Sequence, residues 1–84
     1  MPNPAQSVNL TAEQINDLNR RLSSLRHDIN NHLSLIMAAT ELIKHKPQMA
    51  DRMMDTLTEQ PPKITEAMAS FSRDFESAFG ITHP

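Results

Sequence analysis

Apolar residues recur through the first half of the chain at alternating steps of three and four: Ile15, Leu18, Leu22, Leu25, Ile29, His32/Leu33, Ile36, Ala39/Thr40 and Ile43. This spacing marks a helix with one apolar stripe, and its persistence over about four heptads favours coiled-coil-like packing. Upstream, Thr11 and Gln14 form a T-x-x-Q capping box, with Leu10 and Ile15 placed as a hydrophobic staple. Downstream, Lys44 and Lys46 suit a helix C-terminus, and Pro47 cannot continue the hydrogen-bond ladder. The pattern predicts helix 1 over about residues 11–46.

A second stripe follows: Ala50, Met53, Leu57, Gln60, Ile64, Met68, Phe71, Phe75 and Ala78, predicting helix 2 over about residues 48–79. Pro61-Pro62 falls inside it, and an interior proline costs about 3 kcal/mol. Leu57, Ile64 and Phe71 nevertheless step by sevens across the pair, so both arms keep one phase. The expectation is one helix kinked at 61–62. Gly80, the only glycine, is placed to end it in a left-handed cap, with Ile81 folding back on Phe75. Residues 1–9, with Pro2 and Pro4, read as a disordered lead-in, 10–80 as the helical hairpin and 81–84 as a tail.

The helices would be about 54 and 48 Å long, and a short loop between equal helices implies an antiparallel hairpin. Two helices cannot enclose a core, so each leaves part of its stripe wet. The expected architecture is all-α: an antiparallel helical hairpin that pairs with a second copy into a homodimeric four-helix bundle.

Composition narrows the function classes. Eighty-four residues make one domain with a limited core of its own. A net charge of −2 gives no hint of a nucleic-acid surface. With no cysteine there is neither a disulfide framework nor a thiolate metal site. One glycine near the end cannot make a phosphate-binding loop, so an ATPase or dehydrogenase core is excluded. No apolar run reaches membrane-spanning length and the N-terminus lacks a signal pattern, so a cytoplasmic address is expected and no membrane partner.

The chemistry concentrates in Leu25-Arg26-His27-Asp28-Ile29-Asn30-Asn31-His32-Leu33. Counting Ile15 as heptad position a, His27 falls at f, a solvent-facing position, while the seam runs through Leu22, Leu25 and Ile29. His27 and Asn31 are neighbours at i, i+4, and Asp28 flanks both. A carboxylate that accepts one ring N–H leaves the other imidazole nitrogen nucleophilic, and a carboxamide can hold a water in line with a phosphoryl group.

The run Leu25-Arg26-His27-Asp28-Ile29-Asn30-Asn31-His32-Leu33-Ser34-Leu35-Ile36 resembles the H-box of sensor histidine kinases, in the variant whose histidine is followed by Asp, an apolar residue and two Asn. The similarity spans roughly residues 11–79 and covers the hairpin layout of the dimerisation and histidine-phosphotransfer domain of those kinases. It implies a module of bacterial two-component signalling. His27 would be the phosphoacceptor, Asp28 the acid that helps deprotonate the imidazole, and Asn31 the residue that orients water to dephosphorylate the partner. The implied partners are a second copy and the receiver domain of a response regulator, or a histidine kinase catalytic domain acting in trans. Mg²⁺ belongs to the receiver, and no cofactor or metal is expected on this chain. Without an ATP-binding domain in these residues, histidine phosphotransferase activity is implied but autonomous kinase activity is not. By family analogy the receiver would dock between the histidine and the hairpin loop, with Asn31, Ser34, Leu35, Ala38 and Met54 as candidates.

Other readings stand beside this one. The chain could be a non-catalytic dimerisation or adaptor hairpin that binds a kinase or regulator and carries a vestigial H-box. A metal-responsive bundle is a third reading, but Asp28 and His32 at i, i+4 are two ligands and do not make a site. The family places an apolar residue or proline where His32 stands, so His32 reads as structural, either in the seam or at its rim. His45 and His83 carry no functional reading from the sequence. Met53 and Met68 read as core; Met37 and Met54 fall outside the seam. Arg20, Arg21, Asp55, Glu59, Glu66 and Arg73 read as a solvated surface.

Overall fold

A computed structural model describes residues 7–80. Two long helices, α1 (Ala12–His45) and α2 (Ala50–Phe79), pack as a hairpin around a 3-10 turn at Pro47–Met49. The capping box forms at the start of α1. The Thr11 N–H donates to Gln14 Oε1 at 2.8 Å, and Thr11 Oγ1 accepts the Gln14 N–H at 3.1 Å, satisfying backbone donors that a helix start otherwise leaves open. α1 closes with the Lys46 N–H bonded to the Leu42 carbonyl at 2.7 Å. The α-helical ladder of α2 begins only at Ala50, slightly later than the spacing suggests. Pro47 opens the tighter turn first, with the Met49 N–H on the Lys46 carbonyl at 2.8 Å.

α2 runs without interruption through Pro61 and Pro62. The prolines cannot donate to the carbonyls of Leu57 and Thr58, which an unbroken ladder would use. The compensation is tertiary: Leu57 and Ile64 are half-buried on either side, and Gln60, only 5% exposed, is tied to α1. Gly80 ends the helix at φ 67°, its N–H reaching the Glu76 and Ser77 carbonyls. Only glycine adopts that backbone without a steric penalty. Residues 1–6 of the lead-in, the expected Ile81–Phe75 contact, His83 and the tail lie outside the described residues.

The hairpin is a slab of 58 × 28 × 12 Å, one helix thick. The two heptad series of α1 are therefore covered unequally. Leu18, Leu25, His32 and Ala39 pack toward α2, and Ala39, 3% exposed, is the only buried hydrophobic residue among those described. From the other series only Ile15 (53% exposed) and Leu22 (41%), toward the open end, stay wet, as does Leu33 (44%), whereas Ile29, Ile36 and Ile43 are half-buried. On α2, Met53, Gln60, Ala67 and Asp74 line the contact side, whereas Met54, Met68 and Phe75 are exposed on a strip one heptad position round. Met68 is thus not core within the chain; the strip it shares with Met54 faces away from α1. At about 100° per residue, both wet strips are offset in the same rotational sense from the contact line of their helix. In an antiparallel pair this puts them on one face of the slab.

The open end, where α1 starts and α2 finishes, is strapped by charge. Arg21 reaches Asp17 at 2.8 Å along its own helix and Asp74 of α2 at 3.0 Å. Arg20 also bonds Asp17. The hydrogen bonds from Arg21 and then Arg20 hold the Asp17 carboxyl below its ordinary 3.8. A depressed folded-state value means stabilisation that is complete above the unfolded value and lost as pH falls through the folded one. A thermal-melting series below pH 3.8 should show a progressive loss of stability, small because the carboxylate is exposed, and Asp17→Asn should remove that component.

Candidate functional site around His27

His27 lies near the middle of α1, on the turn between Leu25 and Ile29, whose burial turns position 27 outward. Its side chain is 85% exposed and that of Asp28 59%, and Asn31, one turn on, is also exposed. The three candidate residues are therefore brought together on one wet flank of the helix. Imidazole and carboxylate are not hydrogen-bonded: His27 Nδ1 and Asp28 Oδ1 are 3.8 Å apart, an ion-pair distance only. The sequence predicts a carboxylate that accepts the ring N–H. Adjacent residues project about 100° apart on a helix, so this contact needs a rotamer change or the approach of a partner.

Ser34, Leu35 and Ala38 follow on the same flank, within about 80° of His27 in helical projection. All are exposed, and Leu35, at 42%, is the large apolar residue among them. Met54 does not join this group. It projects from α2 on the strip with Met68 and Phe75, so the structure separates it from the four α1 candidates. On the other side of His27, toward the open end, a groove of about 410 Å³ separates the helices. Asp28 stands at its edge, with Ser24, Ala67, Ser70 and Phe71 in the walls, small side chains that leave the Phe71 ring accessible. Sequence reasoning missed this concavity, whose one-dimensional signal is the small residues Ala67 and Ser70 on the same side of α2 as Phe71.

His32 lies inside the hairpin, half-buried, with its Nδ1 2.7 Å from Gln60 Oε1. The amide oxygen accepts, so Nδ1 carries the proton. Both seams are thus polar at the same level, and no buried side-chain polar atom among the described residues is left without a partner. Among the described residues, no group of three or more His, Cys, Asp or Glu side chains assembles into a possible metal site. No helix of the described residues is long and apolar enough to cross a membrane.

No protein-family model matches the chain, and comparison with curated proteins and with solved structures finds no match either.

Proposed function

We propose that this chain is a phosphotransfer and dimerisation module of two-component signalling, in which His27 exchanges a phosphoryl group with the aspartate of a response-regulator receiver domain. The observation that carries the reading is the 85% exposure of an imidazole at mid-helix, with an exposed carboxylate at 3.8 Å and a carboxamide one turn on. Such a histidine contributes nothing to packing, and a rod that holds it clear of the core lets a bulky acyl-phosphate site close over it. The chain's share of the chemistry is positioning. Imidazole attacks the phosphorus, the acyl-phosphate bond breaks, and the aspartate of the receiver leaves as carboxylate. Asp28 steadies the imidazolium that forms. Mg²⁺ is supplied by the receiver.

The same reading takes the working unit as a homodimeric four-helix bundle in the cytoplasm. Its support is the wet strip of Ile15, Leu22 and Leu33 beside Met54, Met68 and Phe75 in a slab whose described residues include a single buried hydrophobic one. A self-complementary apolar face is what a two-fold dimer buries. The 3.8 Å gap between His27 and Asp28 favours the second reading, an adaptor hairpin with a vestigial H-box.

Receiver domains carrying radiolabelled acyl phosphate distinguish the two. The phosphotransfer reading expects acid-labile label to appear on His27, located by fragmentation mass spectrometry. Label elsewhere, or none from any receiver encoded alongside the chain, refutes it. Asn31→Ala refines the test: phosphorylation of His27 should survive, while dephosphorylation of the receiver slows about tenfold or more. Equal loss of both would contradict the separate roles.

A further inference from the structure

The imidazole best prepared for nucleophilic chemistry is the one at the other end of α1. His45 Nε2 lies 2.7 Å from Glu41 Oε1, one turn back, and the two side chains are 68% and 64% exposed. The carboxylate can only accept, so Nε2 carries the proton and the lone pair sits on Nδ1, which makes no hydrogen bond among the described residues. Lys44 and Lys46 flank the ring in sequence, both exposed and in no ion pair among the described residues. Glu41 thus holds the His45 imidazole, and the sequence sets a lysine on either side of it, cations that offset the partial negative charge of the helix C-terminus and so favour the approach of an anionic electrophile. His45 also lies five turns, about 27 Å, along the same side of α1 as His27.

We propose that His45 is a second phosphoryl-accepting site, distinct from His27, that takes an activated phosphoryl group from a small P–N donor through Nδ1. The lone pair of Nδ1 attacks phosphorus, and the P–N bond breaks with its electrons departing on ammonia. The ring keeps its Nε2 proton, and the positive charge that forms is met by Glu41. Lys44 and Lys46 draw in the donor and balance the bound phosphate.

The test uses phosphoramidate with the full-length His27→Gln chain, which makes it independent of the proposed exchange at His27. Fragmentation mass spectrometry should place the phosphate on His45, and ¹⁵N NMR of the ring should show it on Nδ1. Glu41→Gln should slow labelling about tenfold, and Lys44→Gln with Lys46→Gln should weaken the dependence on donor concentration. These are surface changes on one helix end, and an unchanged circular-dichroism spectrum checks that the fold persists. No phosphate on His45, attachment through Nε2, or equal labelling of the Glu41→Gln chain would each overturn the proposal.

Discussion

Replacing His27 with glutamine should lower phosphoryl exchange with a cognate receiver by about a thousandfold while leaving the protein folded. Glutamine keeps size, polarity and helix propensity but has no nucleophilic nitrogen, so removal of the attacking group acts on the chemical step alone. The side chain is 85% exposed and packs on nothing, which confines the stability change to about 0.5 kcal/mol. His45 does not replace it for a receiver, because about 27 Å of helix separates the two rings and a docked receiver presents one acyl phosphate at one place. Rapid-quench transfer assays paired with thermal melting read both halves. A variant that exchanges at the wild-type rate would leave the hairpin an adaptor, and one that unfolds would place His27 in packing after all.

Leu22→Glu should have an equally large effect on a different observable. The wild-type chain is expected to sediment at micromolar concentration near twice 9.5 kDa. Leu22 is 41% exposed in the single hairpin, so a carboxylate there harms an isolated chain little. In the two-fold dimer the substitution occurs twice, and burying each charge costs about 2 kcal/mol or more, so affinity should fall about a thousandfold. Helicity should fall with it, since one slab with one buried hydrophobic residue among those described cannot offset the ordering of its backbone. An intact helical monomer from the wild-type chain would remove the bundle, and a Leu22→Glu chain that still dimerises at wild-type affinity would take Leu22 out of the interface.

The elements were legible because their signals are local. Thr11 and Gln14 announce a cap, Lys44 to Pro47 an end and Gly80 a stop, each within a few residues. Which apolar positions of the stripe the other helix covers is not local. Leu18 and Leu22 look alike in one dimension, and the turn at Pro47–Met49 decides that the first is covered and the second left wet. Met68, in the apolar stripe of α2 by spacing, is 51% exposed in the single hairpin for the same reason. Arg21 reads as one of several surface cations, and its bond to Asp74 depends on a register set 53 residues away. His32 offered two fates, and Gln60, a polar residue in the apolar stripe of α2, is the clue that both belong to one bond. Around His27 the exposure followed from the heptad phase, but the distance to Asp28 rests on side-chain torsions that spacing does not encode.

The prolines at 61 and 62 leave α2 short of two amide protons at the level of His32, just beyond the turn that carries His27. Rigidity along a helix comes from its unbroken chain of dipoles and tethers, and here that chain has a weak link. The two arms of α2 can therefore loosen separately: the arm by the loop with Met53 and Met54, and the arm at the open end with the tilted rings of Phe71, Phe75 and Phe79, their successive centroids 6.2 and 4.5 Å apart. The bond from His32 to Gln60 is the rivet at that joint. Mechanical force arriving at the open end would meet it before reaching the loop, so the middle of the hairpin, beside the exposed imidazole, is where deformation would gather.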